Sequence, residues 1–130
     1  MKTHYGVAAV AMTLTGFAVG AATMSGLHAQ AKPAGYVIID ISETMDAAAY
    51  IKAVSAAEPN ATTSAGGRFI IRTNAPVALD GDPPNRFVVI AFESVAKAKA
   101  WANTPAIKEV NAVRMKTTKS RAFVVEGLAN

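Results

Sequence analysis

Arg86-Phe87-Val88-Val89-Ile90-Ala91-Phe92-Glu93-Ser94 is the stretch whose reading decides the fold. Aromatic and β-branched residues run between charged ends, the composition of a half-buried strand, and Ser94 is a good N-cap for whatever follows. Immediately after it, Val95, Ala98, Trp101 and Ala102 recur at three- and four-residue spacing. The hydrophobic period therefore switches from two to about 3.6, and the strand hands over to an amphipathic helix with Trp101 on its buried stripe. Thr104-Pro105 predicts a second helical piece, with Thr as cap and Pro in the first turn, that carries Ile107, Val110 and Val113 inward. Arg121 to Glu126 (RAFVVE) reads as a closing strand, stopped by Gly127.

Upstream the same alternation appears once more. Tyr36 to Ile41 (YVIIDI) is a strand, Asp46 caps a helix with the stripe Ala47, Tyr50, Val54 and Ala57, and Pro59 ends it. Asn60 to Gly67 (NATTSAGG) is a polar connection; Gly66-Gly67 precedes a strand, so it supplies backbone freedom and is not a phosphate cradle. Arg68 to Arg72 (RFIIR) is a second strand, broken by Thr73 to Pro76, and Val77 to Leu79 continues it briefly before the turn Asp80 to Pro84. Asp80-Gly81-Asp82 lacks the further spaced oxygens of a calcium loop and is turn chemistry. The order β-α-β-β-α-β defines an α+β fold of the ferredoxin-like kind, a four-stranded antiparallel sheet with helices on one face.

Ahead of this domain, Lys2 is the only charged residue before Lys32, and the apolar run Gly6 to Ala22 is 17 residues long. That is short of the roughly 20 needed to span a bilayer, and Ala29-Gln30-Ala31 offers small residues at the positions a signal peptidase reads. The expectation is a signal peptide over 1–31, a single domain over 32–130, and a periplasmic or secreted product with no membrane attachment after cleavage. An uncleaved anchor is the alternative.

Removing 31 of the 130 residues leaves 99, enough for one core without staples. Both histidines, His4 and His28, lie in the leader and the chain has no cysteine. The mature domain thus lacks the groups for a Ser-His-Asp or Cys-His system, a thiolate or imidazole zinc site, or His- or Cys-ligated haem. No metal, cofactor or catalytic residue is assigned, and any chemistry falls to carboxylates, Tyr, Lys and Arg. Of 13 Lys and Arg only Lys2 is in the leader, so against 9 acids the mature formal charge is +3. Arg114, Lys116, Lys119 and Arg121 cluster where a helix is expected to end, which the helix dipole favours, and no nucleic-acid partner is expected.

Alternation assigns Val37, Ile39, Ile41, Phe69, Ile71, Val88, Ile90, Phe92, Phe123 and Val125 to the helix side of the sheet. The other parity carries Tyr36, Ile38, Asp40, Arg68, Ile70, Arg72, Phe87, Val89, Ala91, Glu93, Ala122, Val124 and Glu126. Left bare, that mixed face exposes roughly 300 to 500 Å² of apolar surface, at the upper edge of what monomers leave uncovered, and a two-fold partner is the simplest cover. Tyr36, Arg68, Glu93 and Glu126 fall near one end of the face, Asp40 and Arg72 near the other. These six are the candidate ligand-binding residues, with a rim ion pair of Arg68 and Glu93 as the plain structural alternative.

Asp46-Ala47-Ala48-Ala49-Tyr50, Gly66-Gly67-Arg68-Phe69, Arg86 to Ser94, Ala98-Lys99-Ala100-Trp101, Thr104-Pro105, Arg114 and Val124-Val125-Glu126-Gly127 together resemble the domain of unknown function 1330 family. The resemblance implies the dimeric α/β-barrel superfamily, whose members pack two such sheets face to face and often hold small organic molecules between them. The sequence departs from the family pattern at Ala102 and Ile107, where aromatics are common. The expected function is a homodimer binding a small apolar or aromatic organic acid between its sheets. Two alternatives stand beside it: a cofactor-independent isomerase or lyase in which Asp40 or Glu126 moves a proton and Arg68 holds an anion, and a structural or stress-associated dimer with no ligand.

Overall fold

Two side-chain caps start the helices where the sequence places them. Asp46 Oδ1 accepts the N–H of Ala49 at 3.1 Å, and Ser94 Oγ accepts that of Lys97 at 3.2 Å. The computed structural model describes residues 33–129, so the expected signal peptide lies outside the described residues. In chain order the elements are β1 (Gly35–Thr44), α1 (Ala47–Ala57), α2 (Asn60–Thr63), β2 (Arg68–Thr73), β3 (Arg86–Phe92), α3 (Val95–Ala102), α4 (Pro105–Thr117) and β4 (Thr118–Glu126). The strands form one antiparallel sheet in the order β2-β3-β1-β4, the ferredoxin-like arrangement. Among the described residues no helix is long and apolar enough to cross a membrane.

The core lies between sheet and helices. Val37, Val88, Ile90 and Phe92 from the central strands meet Ala98 and Trp101 of α3 and Ile107 of α4. The Phe92 and Trp101 rings stand 5.3 Å apart and tilted, and the indole N–H donates to Thr62 Oγ1 at 3.1 Å. α1 behaves differently: none of its residues is fully buried, and it packs chiefly on α4. A helix held off the sheet leaves space beneath it.

Local expectations need three corrections. The connection Asn60 to Gly67 contains the short helix α2, which brings Thr62 fully inside. Val77 to Leu79 joins no strand among the described residues and is exposed; Pro76, Pro83 and Pro84 around it have no N–H to give a ladder. Thr104 precedes α4, but its hydroxyl donates to Trp101 O at 2.7 Å and caps no N–H.

Two strands also present the opposite parity from the one expected. In β2, Arg68 and Phe69 face Ala91 and Ile90 of β3, whereas Ile71 and Arg72 face Val89 and Val88. Ile70 is thus an extra residue, and a one-residue bulge turns every later side chain to the other face. Ile71 joins the open face, and Arg72 turns to the helix side, where its guanidinium lies 5.0 Å over the Phe69 ring.

In β4, Ala122 pairs with Ile39 and Val124 with Val37, so these and Ser120 face the helices while Arg121, Phe123 and Val125 face outward. The anchor is polar. Thr118 Oγ1 donates to Arg114 O at 2.7 Å, leaving Ser120 Oγ to donate to Thr118 while it accepts from Arg114 Nη1 at 2.6 Å. That chain pins the even positions of β4 toward α4.

Candidate functional site

The bulge and the β4 anchor together direct charge into the space under α1. A cavity of about 60 Å³ is lined by Tyr50, Val54 and Glu58 from the α1 side, Ile39, Phe69, Arg72, Arg86, Val88 and Ile90 from the sheet, and Trp101, Ile107, Val110, Asn111 and Arg114 from α3 and α4. Most of this wall is apolar, as in small-molecule sites generally, but three guanidiniums and one carboxylate share it. Tyr50, Val54 and Arg86 also line a neighbouring cleft of about 390 Å³ that includes Thr44, Ile51, Asn74 and Asn85, so they stand between the inner space and the outer one.

Each charged residue is held differently. Arg114 is only 7% exposed and donates through Nη1 to Ser120, yet its Nε is buried with no hydrogen-bond partner among the described residues. Arg86 Nη1 donates to Asn74 Oδ1 at 2.6 Å, which ties the outer cleft to the cavity wall. Glu58 Oε1 accepts from Thr62 Oγ1 at 2.7 Å, and Thr62 in turn accepts from Trp101; Glu58 Oε2 is buried without a partner among the described residues. The ion pairs formed among the described residues, Glu43 with Lys119 at 3.0 Å and Asp40 with Arg121 at 3.1 Å, involve none of these four side chains.

Electrostatics follow from that arrangement. Burial pushes the Tyr50 hydroxyl above its ordinary value of 10.0, opposed by the nearby Arg86 and Arg114 guanidiniums. Burial lowers Arg114, opposed by Tyr50. With one carboxylate against three guanidiniums, the cavity favours an anion. No group of three or more His, Cys, Asp or Glu among the described residues is arranged to hold a metal.

The six residues predicted from sequence separate into four places. Tyr36, Arg68 and Glu93 line one cleft of about 360 Å³ at the end of the open face. Glu126 pairs with Gly35 in the parity that faces the helices and does not join them. Asp40 is on the open face at the other end, bound by Arg121 Nη2 and not by Arg72, which the bulge has carried to the opposite side. Asp40, Glu126 and Arg68, the trio of the isomerase or lyase alternative, are therefore not brought together. The basic cluster near the end of α4 also divides, because Arg114 turns inward while Lys119 and Arg121 sit on β4 in ion pairs. Tyr50, Glu58, Arg86 and Arg114 were missed as a set; Arg114, four residues before a Thr-Lys-Ser run, was the visible hint.

Comparison with known proteins adds a family. Residues 34–128 match the family described as domain of unknown function, DUF1330. The chain belongs to the DUF1330 family. This DUF1330 chain resembles a Rhodopseudomonas palustris protein of unknown function with a TM-score of 0.60 at 14% identity, covering 83% of this chain and 93% of the other. A Nitrosomonas europaea protein, provisionally described as an antibiotic biosynthesis monooxygenase, gives 0.55 at 17% identity over 75% and 92%. At such identities the likeness is one of fold. No curated protein matches the chain.

Proposed function

We propose that this DUF1330 chain is an exported homodimer that binds a small organic acid, and that the acid sits in the helix-side cavity of each copy. The observation that carries the reading is Arg114: a side chain more than nine-tenths buried, with a free Nε donor, lining a space that Arg72 and Arg86 also line. An unsatisfied buried donor costs about 1–3 kcal/mol, more for a charged group, and a carboxylate oxygen is the acceptor that Arg geometry suits best. The apolar wall of Phe69, Ile90, Trp101 and Ile107 takes the ligand's carbon skeleton.

A second reading keeps the acid between two packed sheets, at the cleft formed by Tyr36, Arg68 and Glu93. Calorimetric titration of the mature protein with propionate separates the two. R114M is expected to weaken binding about tenfold or more, the size of one charge-assisted hydrogen bond, while R68A leaves it unchanged. The reverse pattern moves the site to the sheet rim, and no heat from any simple acid removes the ligand altogether. Sequencing the exported form checks the leader, with Lys32 expected as its first residue.

A further inference from the structure

Glu58 gives the cavity a second, opposite demand. Its Oε1 is fixed by Thr62, which Trp101 fixes in turn, so the carboxylate cannot rotate freely to satisfy its other oxygen. Oε2 is buried without a partner among the described residues, as is Arg114 Nε, and both side chains line the same space of about 60 Å³. One is an acceptor and the other a donor. A plain carboxylate satisfies Arg114 and presents nothing to Glu58. A keto acid is worse, because its second oxygen is an acceptor facing an acceptor.

We infer that the cavity selects hydroxy acids: the carboxylate meets Arg114, with Arg72 and Arg86 beside it, and the hydroxyl donates to Glu58 Oε2. The inference rests on the organic-acid reading and narrows it to a substrate class. The relay Trp101–Thr62–Glu58 makes Thr62 a positioning residue, since it fixes the acceptor without lining the cavity itself. Selectivity of this kind is strong, because a buried acceptor left unpaired by the wrong ligand is penalised in full.

The test compares three acids of nearly equal size, lactate (both enantiomers), pyruvate and propionate, by calorimetry on the mature protein and on E58Q. In the wild type one lactate enantiomer is expected to bind about tenfold or more tighter than propionate or pyruvate. E58Q places an amide donor at the position of Oε2, so it is expected to erase the advantage over pyruvate or invert it while propionate affinity stays within about twofold. If circular dichroism shows E58Q unfolded, T62A, which releases the carboxylate, is expected to blunt the ranking instead. Acids that bind without preference for the hydroxyl overturn the hydroxy-acid inference and leave the organic-acid reading standing. A preference that survives both substitutions overturns the role of Glu58. No binding of any of the three overturns both.

Discussion

At the scale of single residues, Gly66 and Gly67 look alike in sequence and differ in the structure. Gly66 has a φ of +83° and open space where a Cβ would stand; at Gly67 a Cβ would lie 2.7 Å from both Phe92 Cζ and Thr62 Cγ2. The first glycine serves the backbone and the second serves packing, beside the residue that orients Glu58. G66A is expected to cost about 1 kcal/mol with ligand affinity unchanged. G67A is expected to cost about 1–3 kcal/mol and to weaken acid binding as well, because Thr62 or Phe92 must shift. Denaturant titration with calorimetry on each variant checks the split, and equal effects would place both glycines in the same role.

Tyr50 gives the pH dependence. Its folded pKa is raised above the ordinary 10.0 by burial. The unfolded chain therefore releases this proton first as pH rises, and the stability Tyr50 contributes is complete below 10 and lost as pH climbs toward the folded value. Y50F removes that proton, so its stability relative to the wild type is expected to improve as pH rises above about 10, with no change in the difference below pH 9. Urea midpoints across that range decide it. Residues of this sort were not legible in sequence, since Tyr50 reads as one more member of an apolar stripe and only the inward turn of Arg86 and Arg114 makes it a cavity group.

At the scale of elements, the strands and helices were legible because caps, prolines and period all agree: Asp46, Ser94 and Pro105 start the helices that the spacing of Val54, Trp101 and Ile107 implies. Facing was legible for the central pair and for Arg68 and Phe69 at the start of β2. β1 and β3 are regular opposite each other, so Val37 against Ile90 and Ile39 against Val88 follow from alternation alone. β4 and the part of β2 beyond Phe69 defeat that rule. β2 contains Ile70-Ile71, two identical residues of which either can be the bulge, and nothing local marks which one leaves the ladder. β4 carries apolar residues on both parities, so the larger Phe123 and Val125 were expected inside. In the structure the helix-facing parity goes with Arg114 of α4 gripping Ser120 six residues on. The slip in β2 and the parity of β4 thus move two charges, and with them the site: Arg72 leaves Asp40, Arg121 takes it, and the cationic wall forms under α1.

At the scale of the whole molecule, the corrected register makes the open face more apolar at its centre than alternation suggested. Ile38, Ile71, Phe87, Val89, Phe123 and Val125 now share it, and Ile71, Phe123 and Val125 are each more than 40% exposed. Four strands at about 4.8 Å spacing, over the six or seven residues of the shorter pair β2 and β3, share a footprint of roughly 20 Å by 20 Å. That is about half of the ~800 Å² per partner usual in a stable interface, so a dimer through this face must also enclose its rims, with Arg68 and Glu93 at one end and the Asp40–Arg121 pair at the other. Two substitutions one residue apart test the arrangement. F123D removes an open-face anchor worth about 1.5–3 kcal/mol and adds a charge, so it is expected to raise the dimer dissociation constant at least about tenfold and leave the monomer folded. V124D points into the core beside Val37 and is expected to unfold the chain at any concentration. Light scattering behind a sizing column, read against circular dichroism, distinguishes these outcomes. A wild type that is monomeric at every concentration, with F123D indistinguishable from it, would show that this apolar face is not covered by a second copy.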